Sequence, residues 1–140
     1  MILQWLWILK RNGRDTFKLN IGIYGGHDQS FSSLAALVRD SQGLVTAALC
    51  SKIQVCENRL QQYAHAVLLA IQFAHDIGIR RVEVGLTNKE LWGLLTSCGP
   101  CMAPIGSIVE DIRAWTVSFC SLNFSFIKNV CNKAVNALAT

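Results

Sequence analysis

The apolar residues of this chain change period near residue 58, and that change limits the folds open to it more than any other feature. Phe17, Leu19, Ile21 and Ile23 alternate with Lys18, Asn20, Gly22 and Tyr24, the two-residue period of a strand with one buried face. Ser33 to Arg39 predicts a second strand and Leu44 to Cys50 a third. Asp40-Ser41-Gln42-Gly43 between them is turn chemistry, so these two form a hairpin. From Asn58 the spacing lengthens. Leu60, Ala64, Val67, Leu68 and Ile71 recur at helical intervals, and Gly78 supplies the stop.

Beyond that helix the two periods interleave. Arg81 to Leu86 predicts a strand, and Lys89 to Thr96 a helix capped by Asn88 and broken by Cys98-Gly99-Pro100. Ile105, Ile108, Val109, Ile112 and Trp115 mark a further amphipathic helix. Leu122, Phe124 and Phe126 then alternate as a last strand, and Asn132 to Ala139 closes the chain as a small helix. The order β-β-β-α-β-α-α-β-α implies an antiparallel meander extended by parallel strands, an α/β fold with a mixed five-stranded sheet. Parallel additions need right-handed crossovers, which leaves few topologies.

A chain of 140 residues has room for one core of ordinary size. Its 51% hydrophobic and 16% charged residues exclude a disordered chain. The net charge of +4 permits contact with nucleic acid without demanding it. Within that small excess, Lys10, Arg11, Arg14 and Lys18 cluster near the start, and they are the candidate phosphate contacts. The opening MILQWLWILK is too short for a membrane span, which needs ~20 apolar residues, and lacks a basic segment ahead of its apolar run. Residues 1–16 are therefore read as an extension, a truncated start or the flank of a longer chain, and 17–140 as the domain. A soluble protein, nuclear or cytoplasmic, is expected. Its six cysteines are then reduced thiols, with Cys50 and Cys120 read as small core hydrophobes.

Five segments sharpen this outline: FKLNIGIY, LVRDSQGLVTAAL, AHAVLLAIQFAHDIGIRRVEV, IVEDIRAW and NKAVNALA, in that order. Together they make residues 17 to 140 resemble the ribonuclease H-like (RNase H type-1, reverse-transcriptase-like) domains abundant in plant genomes. The resemblance implies a five-stranded mixed sheet with helices on both faces. It also implies cleavage of the RNA strand of RNA–DNA hybrids, with two magnesium ions held by four carboxylates.

Carried over position by position, however, the pattern loses every carboxylate. Where the family reads N-V-D-G, Gly22 follows Asn20-Ile21; in Ala64-His65-Ala66, His65 takes the glutamate of A-E-A; in Gly85-Leu86-Thr87-Asn88, Thr87 takes the aspartate of E-G-D-S. In the last helix Asn136 takes the final aspartate, and the histidine and arginine that precede that helix fall on Phe126 and Asn129. Other acids do not make up the loss. Glu83 shares a strand face with Gly85 and Thr87, but one glutamate cannot hold two divalent ions. Asp28 and Asp40 fall in loops, while Glu110 and Asp111 lie on the helix before the last strand. A zinc site at His65 fails as well, since His75, its nearest histidine, is ten residues on. A pseudoenzyme with no metal or cofactor is expected, retaining weak binding of RNA–DNA hybrid, other nucleic acid or a protein partner, with no membrane role.

Cys98-Gly99-Pro100-Cys101 spells the redox motif of thioredoxins and supports a thiol–disulfide protein as the alternative. That chemistry needs a thiolate at a helix N-terminus directly after a strand. Here the motif follows a predicted helix, whose negative end disfavours a thiolate, and the only prolines are Pro100 and Pro104. A loop that acquired two cysteines is the plainer reading.

Overall fold

A computed structural model of the chain describes residues 15–24, 31–54 and 58–128. Five strands form one sheet: β1 (Phe17–Tyr24), β2 (Phe31–Arg39), β3 (Val45–Gln54), β4 (Arg81–Leu86) and β5 (Ser121–Phe126). Among the described residues three helices accompany them: α1 (Arg59–Asp76), α2 (Lys89–Thr96) and α3 (Gly106–Thr116). The sheet order is β3-β2-β1-β4-β5. β1–β2 and β2–β3 pair antiparallel, β1–β4 and β4–β5 parallel. This is the mixed sheet, with the antiparallel meander and the two parallel additions, that the apolar periods predict.

The β2–β3 hairpin is set by its turn. The buried Asp40 accepts the backbone N–H groups of Gln42 and Leu44 through Oδ1, each at 2.9 Å. Gly43 takes φ +82°, a conformation that side chains disfavour. Thr46 is the extra residue of a bulge, since Val38 pairs with Ala47 but Arg39 with Val45. Past the bulge β3 runs on to Gln54, four residues beyond the expected end at Cys50. Its Ser51 and Lys52 break the apolar pattern, but each has a partner on β2.

Helix ends follow local chemistry as expected. Asn58 Oδ1 accepts the N–H of Leu60 at 2.9 Å and of Gln61 at 3.3 Å. At the other end of α1, Gly78 adopts φ +91° and its N–H bonds the carbonyl of His75 at 3.0 Å. Arg80 Nη1 donates to the same carbonyl at 2.9 Å. Asn88 caps α2 by accepting the Leu91 N–H at 2.9 Å.

All three helices contribute to one core. Leu19 and Ile21 of β1, Leu34, Ala36 and Val38 of β2, and Val84 and Leu86 of β4 meet Val67, Ala70, Ile71 and Ala74 of α1, Leu91 of α2, and Val109 and Ile112 of α3, all fully buried. Each such Leu, Ile or Val contributes roughly 1.5–3 kcal/mol of transfer free energy. Ala35 and Leu37 are also buried but point to the opposite sheet face, where Ala48 packs on them. The terminal helix expected at 132–139 lies outside the described residues. No described helix is long and apolar enough to cross a membrane.

Two of the cysteine expectations fail. Cys50 and Cys120 are exposed, not core residues. Cys50 lies on the edge strand β3 and pairs with Ala35, so it shares the sheet face turned away from the main core. Cys120 sits in the turn before β5, where its backbone N–H bonds the carbonyl of Arg80 at 2.7 Å. Apolar neighbours in sequence do not bury a residue that the topology puts at an edge or a turn.

Candidate functional site at the strand ends

β1 and β4 are adjacent and parallel, so they deliver their C-terminal ends to the same rim of the sheet. Their last paired residues are Asn20 and Gly85. Gly22 lies two residues further along β1 and Thr87 directly after the end of β4, so both stand at this rim. In a parallel α/β sheet such a rim is where sites are built.

The helix contributes Tyr63. This side chain is 8% exposed. Its Oη accepts the backbone N–H of Thr87 at 3.0 Å and lies 3.3 Å from Thr87 Oγ1. Either hydroxyl can be the donor in that second contact. Burial pushes the Tyr63 phenol above its usual pKa, against the lowering effect of the Thr87 hydrogen bonds. The group at this rim is therefore a neutral phenol. One residue earlier, Gln62 Nε2 donates to Ser32 Oγ of β2 at 2.6 Å, and both residues are buried. The first turns of α1 are thus tied to the sheet by neutral dipoles.

His65 takes no part in this arrangement. It is exposed, and two residues along a helix turn the side chain by about 200° from Tyr63. The residue on α1 that reaches the strand ends is Tyr63, which the spacing of A-x-A had hidden. Its signal in the sequence was a tyrosine at the border of the apolar stripe, where a polar tip meets a buried ring.

Glu83 is equally remote from Thr87. Four strand residues separate them, about 13 Å. Glu83 lies opposite Lys18 in register, in a shallow cleft that Asn20, Gly85, Ser125 and Ile127 complete. A Cβ on Gly85 would stand 3.0 Å from Ile127 Cδ1 and 3.1 Å from Asn20 Nδ2, so these two close over the glycine. Lys18 therefore sits near the start of β1, at the opposite end from the rim. Lys10, Arg11, Arg14, Asp28, Asn129 and Asn136 lie outside the described residues. Phe126 ends β5 with 44% of its surface exposed, its ring 6.4 Å from that of Trp92.

Among the described residues, the donor set at this rim does not fit magnesium. Gly22 offers no side chain, Thr87 a neutral hydroxyl and Tyr63 a neutral phenol, whereas Mg²⁺ is held through carboxylates and water. Among the described residues no group of three or more His, Cys, Asp or Glu could hold a metal ion.

The thiol loop is built differently. It follows α2, and Arg113 of α3 holds it through backbone carbonyls. Nη1 donates to Gly99 O at 2.6 Å, and Nη2 to Leu94 O at 2.5 Å and Ser97 O at 3.1 Å. Glu110 Oε1 pairs with Arg113 at 2.8 Å and accepts the Cys101 N–H at 3.2 Å. Cys98 is exposed and Cys101 partly so. No strand leads into the motif.

Comparison with known proteins agrees with this architecture. Ribonuclease H1 of the halophilic archaeon Halobacterium salinarum superposes with a TM-score of 0.77 at 16% identity, over 89% of this chain and 94% of that one. The N-terminal RNase H domain of Rv2228c from Mycobacterium tuberculosis, solved as a fusion with maltose-binding protein, gives 0.75 at 12%, over 89% and 91%. LC11-RNase H1 in complex with RNA/DNA hybrid gives 0.63 at 14%, over 89% and 93%. At these identities the likeness establishes the fold alone. No curated protein matches the chain in sequence. The family model described as reverse transcriptase-like matches residues 23–140, beginning one residue past Gly22. The chain belongs to this reverse transcriptase-like family and carries a ribonuclease H-like domain.

Proposed function

We propose that this domain, from Phe17 onward and of the type abundant in plant genomes, is a pseudoenzyme of the RNA–DNA hybrid ribonuclease family. It has lost cleavage and retains weak binding of nucleic acid or of a protein partner. The observation that carries this reading is the neutral donor set of Gly22, Tyr63 and Thr87 at the strand ends. Two magnesium ions bring four positive charges to one place, and without carboxylates nothing offsets the cost of stripping their water. Asn136 extends the same loss in the sequence.

Two relatives of similar fold, LC11-RNase H1 and the foamy viral protease-reverse transcriptase, are solved in complex with RNA/DNA hybrid. A hybrid is accordingly the first ligand to try. Contacts of Lys10, Arg11, Arg14 and Lys18 would be to phosphate, so binding falls steeply with salt and shows no sequence preference. The test is hybrid binding with and without magnesium, run beside a cleavage assay. Weak, salt-sensitive binding without cleavage is expected. Magnesium-dependent turnover that disappears in Glu83→Gln would show a rearranged active site and end the pseudoenzyme reading. Association with a protein that survives nuclease treatment would move the residual role from nucleic acid to protein.

A further inference from the structure

We infer that Tyr63, and not His65, holds the helix side of the former cation site, and that its two contacts with Thr87 close that site as a neutral lock between α1 and the end of β4. This inference rests on the reading that the strand-end rim once held divalent ions.

Three observations carry it. First, a ligand on α1 must point at the ends of β1 and β4, and Tyr63 does so, with its Oη 3.0 Å from the Thr87 N–H. His65 is exposed and turned away. Second, the lock engages both the backbone and the side chain of Thr87. Tyr63 Oη accepts from the Thr87 backbone N–H, and either hydroxyl can donate to the other at 3.3 Å. A phenol is longer than a carboxylate side chain, so it spans directly to the strand where a shorter acid would leave room for an ion between helix and sheet. Third, the neighbouring tie from Gln62 to Ser32 is also neutral and buried. The start of α1 is thus fastened to β2 and β4 without any charge that a bound cation would have to balance.

The replacement also accounts for how the rim tolerates the loss of its metal. Carboxylates crowded on one rim repel when no cation is present. A phenol and a hydroxyl attract instead.

Two variants of the full chain separate Tyr63 from His65: Gly22→Asp/Tyr63→Glu/Thr87→Asp and Gly22→Asp/His65→Glu/Thr87→Asp. Mn²⁺ binding is read by titration, with circular dichroism melts to verify folding. The first variant should bind Mn²⁺ at least about tenfold more tightly than the unaltered chain, the second within about twofold of it, because only the first puts a helix carboxylate at the position that meets Thr87. Equal or tighter binding by the His65 variant overturns the assignment, and so does a folded Tyr63 variant that gains no affinity. Should either triple variant fail to fold, Tyr63→Phe decides. Exchange of the Thr87 amide hydrogen should quicken roughly fivefold to tenfold in Tyr63→Phe and stay unchanged in His65→Ala, the effect expected from losing one hydrogen bond. An unchanged Thr87 amide in Tyr63→Phe refutes the lock. Cleavage of hybrid by the unaltered chain is a separate result, which would refute the pseudoenzyme reading whichever helix residue faces the rim.

Discussion

Two polar clusters of this domain solve the same problem, tying a helix to the chain beside it, with opposite means. At the strand ends the Tyr63–Thr87 pair is neutral, and its tyrosine is buried. At the thiol loop Arg113 and Glu110 are charged, the first 20% and the second 49% exposed in its side chain. The difference follows from burial. A charge inside the core would need a charged partner to offset its desolvation, so the interior tie uses hydroxyls. At the thiol loop the guanidinium is only partly covered and keeps its charge by donating to Glu110 and to three carbonyls. Both clusters direct their hydrogen bonds inward, to the protein itself.

If that contrast is right, removing the buried tie acts on the whole fold and removing the exposed one acts locally. Tyr63→Phe should lower the stability to unfolding by about 2 kcal/mol, because the Thr87 N–H and Oγ1 lose their partner while the ring remains. Chemical denaturation measures this, and a loss below that of Arg113→Ala would break the comparison. Arg113→Ala should cost about 1 kcal/mol globally, since its bonds are to a solvated loop. Its larger effect should be a several-fold faster alkylation of Cys98 and Cys101, through a loosened loop. Alkylation followed against pH in the unaltered chain tests the redox alternative as well. A midpoint far below that of a free cysteine, lost in Cys98→Ser or Cys101→Ser, would favour thiol–disulfide chemistry.

The alkaline limb of stability gives a subtler separation. The Tyr63 phenol has a raised pKa in the folded state, so its contribution is fully present below the ordinary tyrosine value of about 10. It is lost as pH rises through the folded value, because unfolding then releases a proton. Stability should therefore decline above about pH 10, and part of that decline should vanish in Tyr63→Phe. An identical alkaline slope in both proteins would place the ionisation elsewhere. The smallest effect expected is that of Glu110→Gln, within about 0.5 kcal/mol, as befits an exposed ion pair. A larger loss would mean that the loop depends on that charge.

Much of the architecture was legible in advance because its causes are local. Two-residue alternation in β1 and β4, the caps Asn58 and Asn88, the glycine stop at Gly78 and the Asp40–Gly43 turn each act over a few residues, and the elements begin and end where these signals lie. β3 outruns its apolar pattern past Cys50 because its last four residues are held by backbone pairing to β2, and that pairing is indifferent to the polar side chains of Ser51 and Lys52. The burial predicted for Cys50 and Cys120 failed for a related reason, since neither edge strands nor turns show in local hydropathy.

The site divides along the same line. By itself the sequence determined which elements form, their order and the absence of acids at Gly22 and Thr87, since these depend on residue identity and short-range periodicity. Only the tertiary structure decided that Tyr63 rather than His65 meets Thr87, 24 residues away, and that Arg113 gathers carbonyls 14 to 19 residues before it. A helix presents every side chain within two turns. Which one faces the strand ends depends on how the helix is rotated against the sheet, and that rotation is set by the packing of Ala64, Val67 and Ile71 into a core drawn from the whole chain.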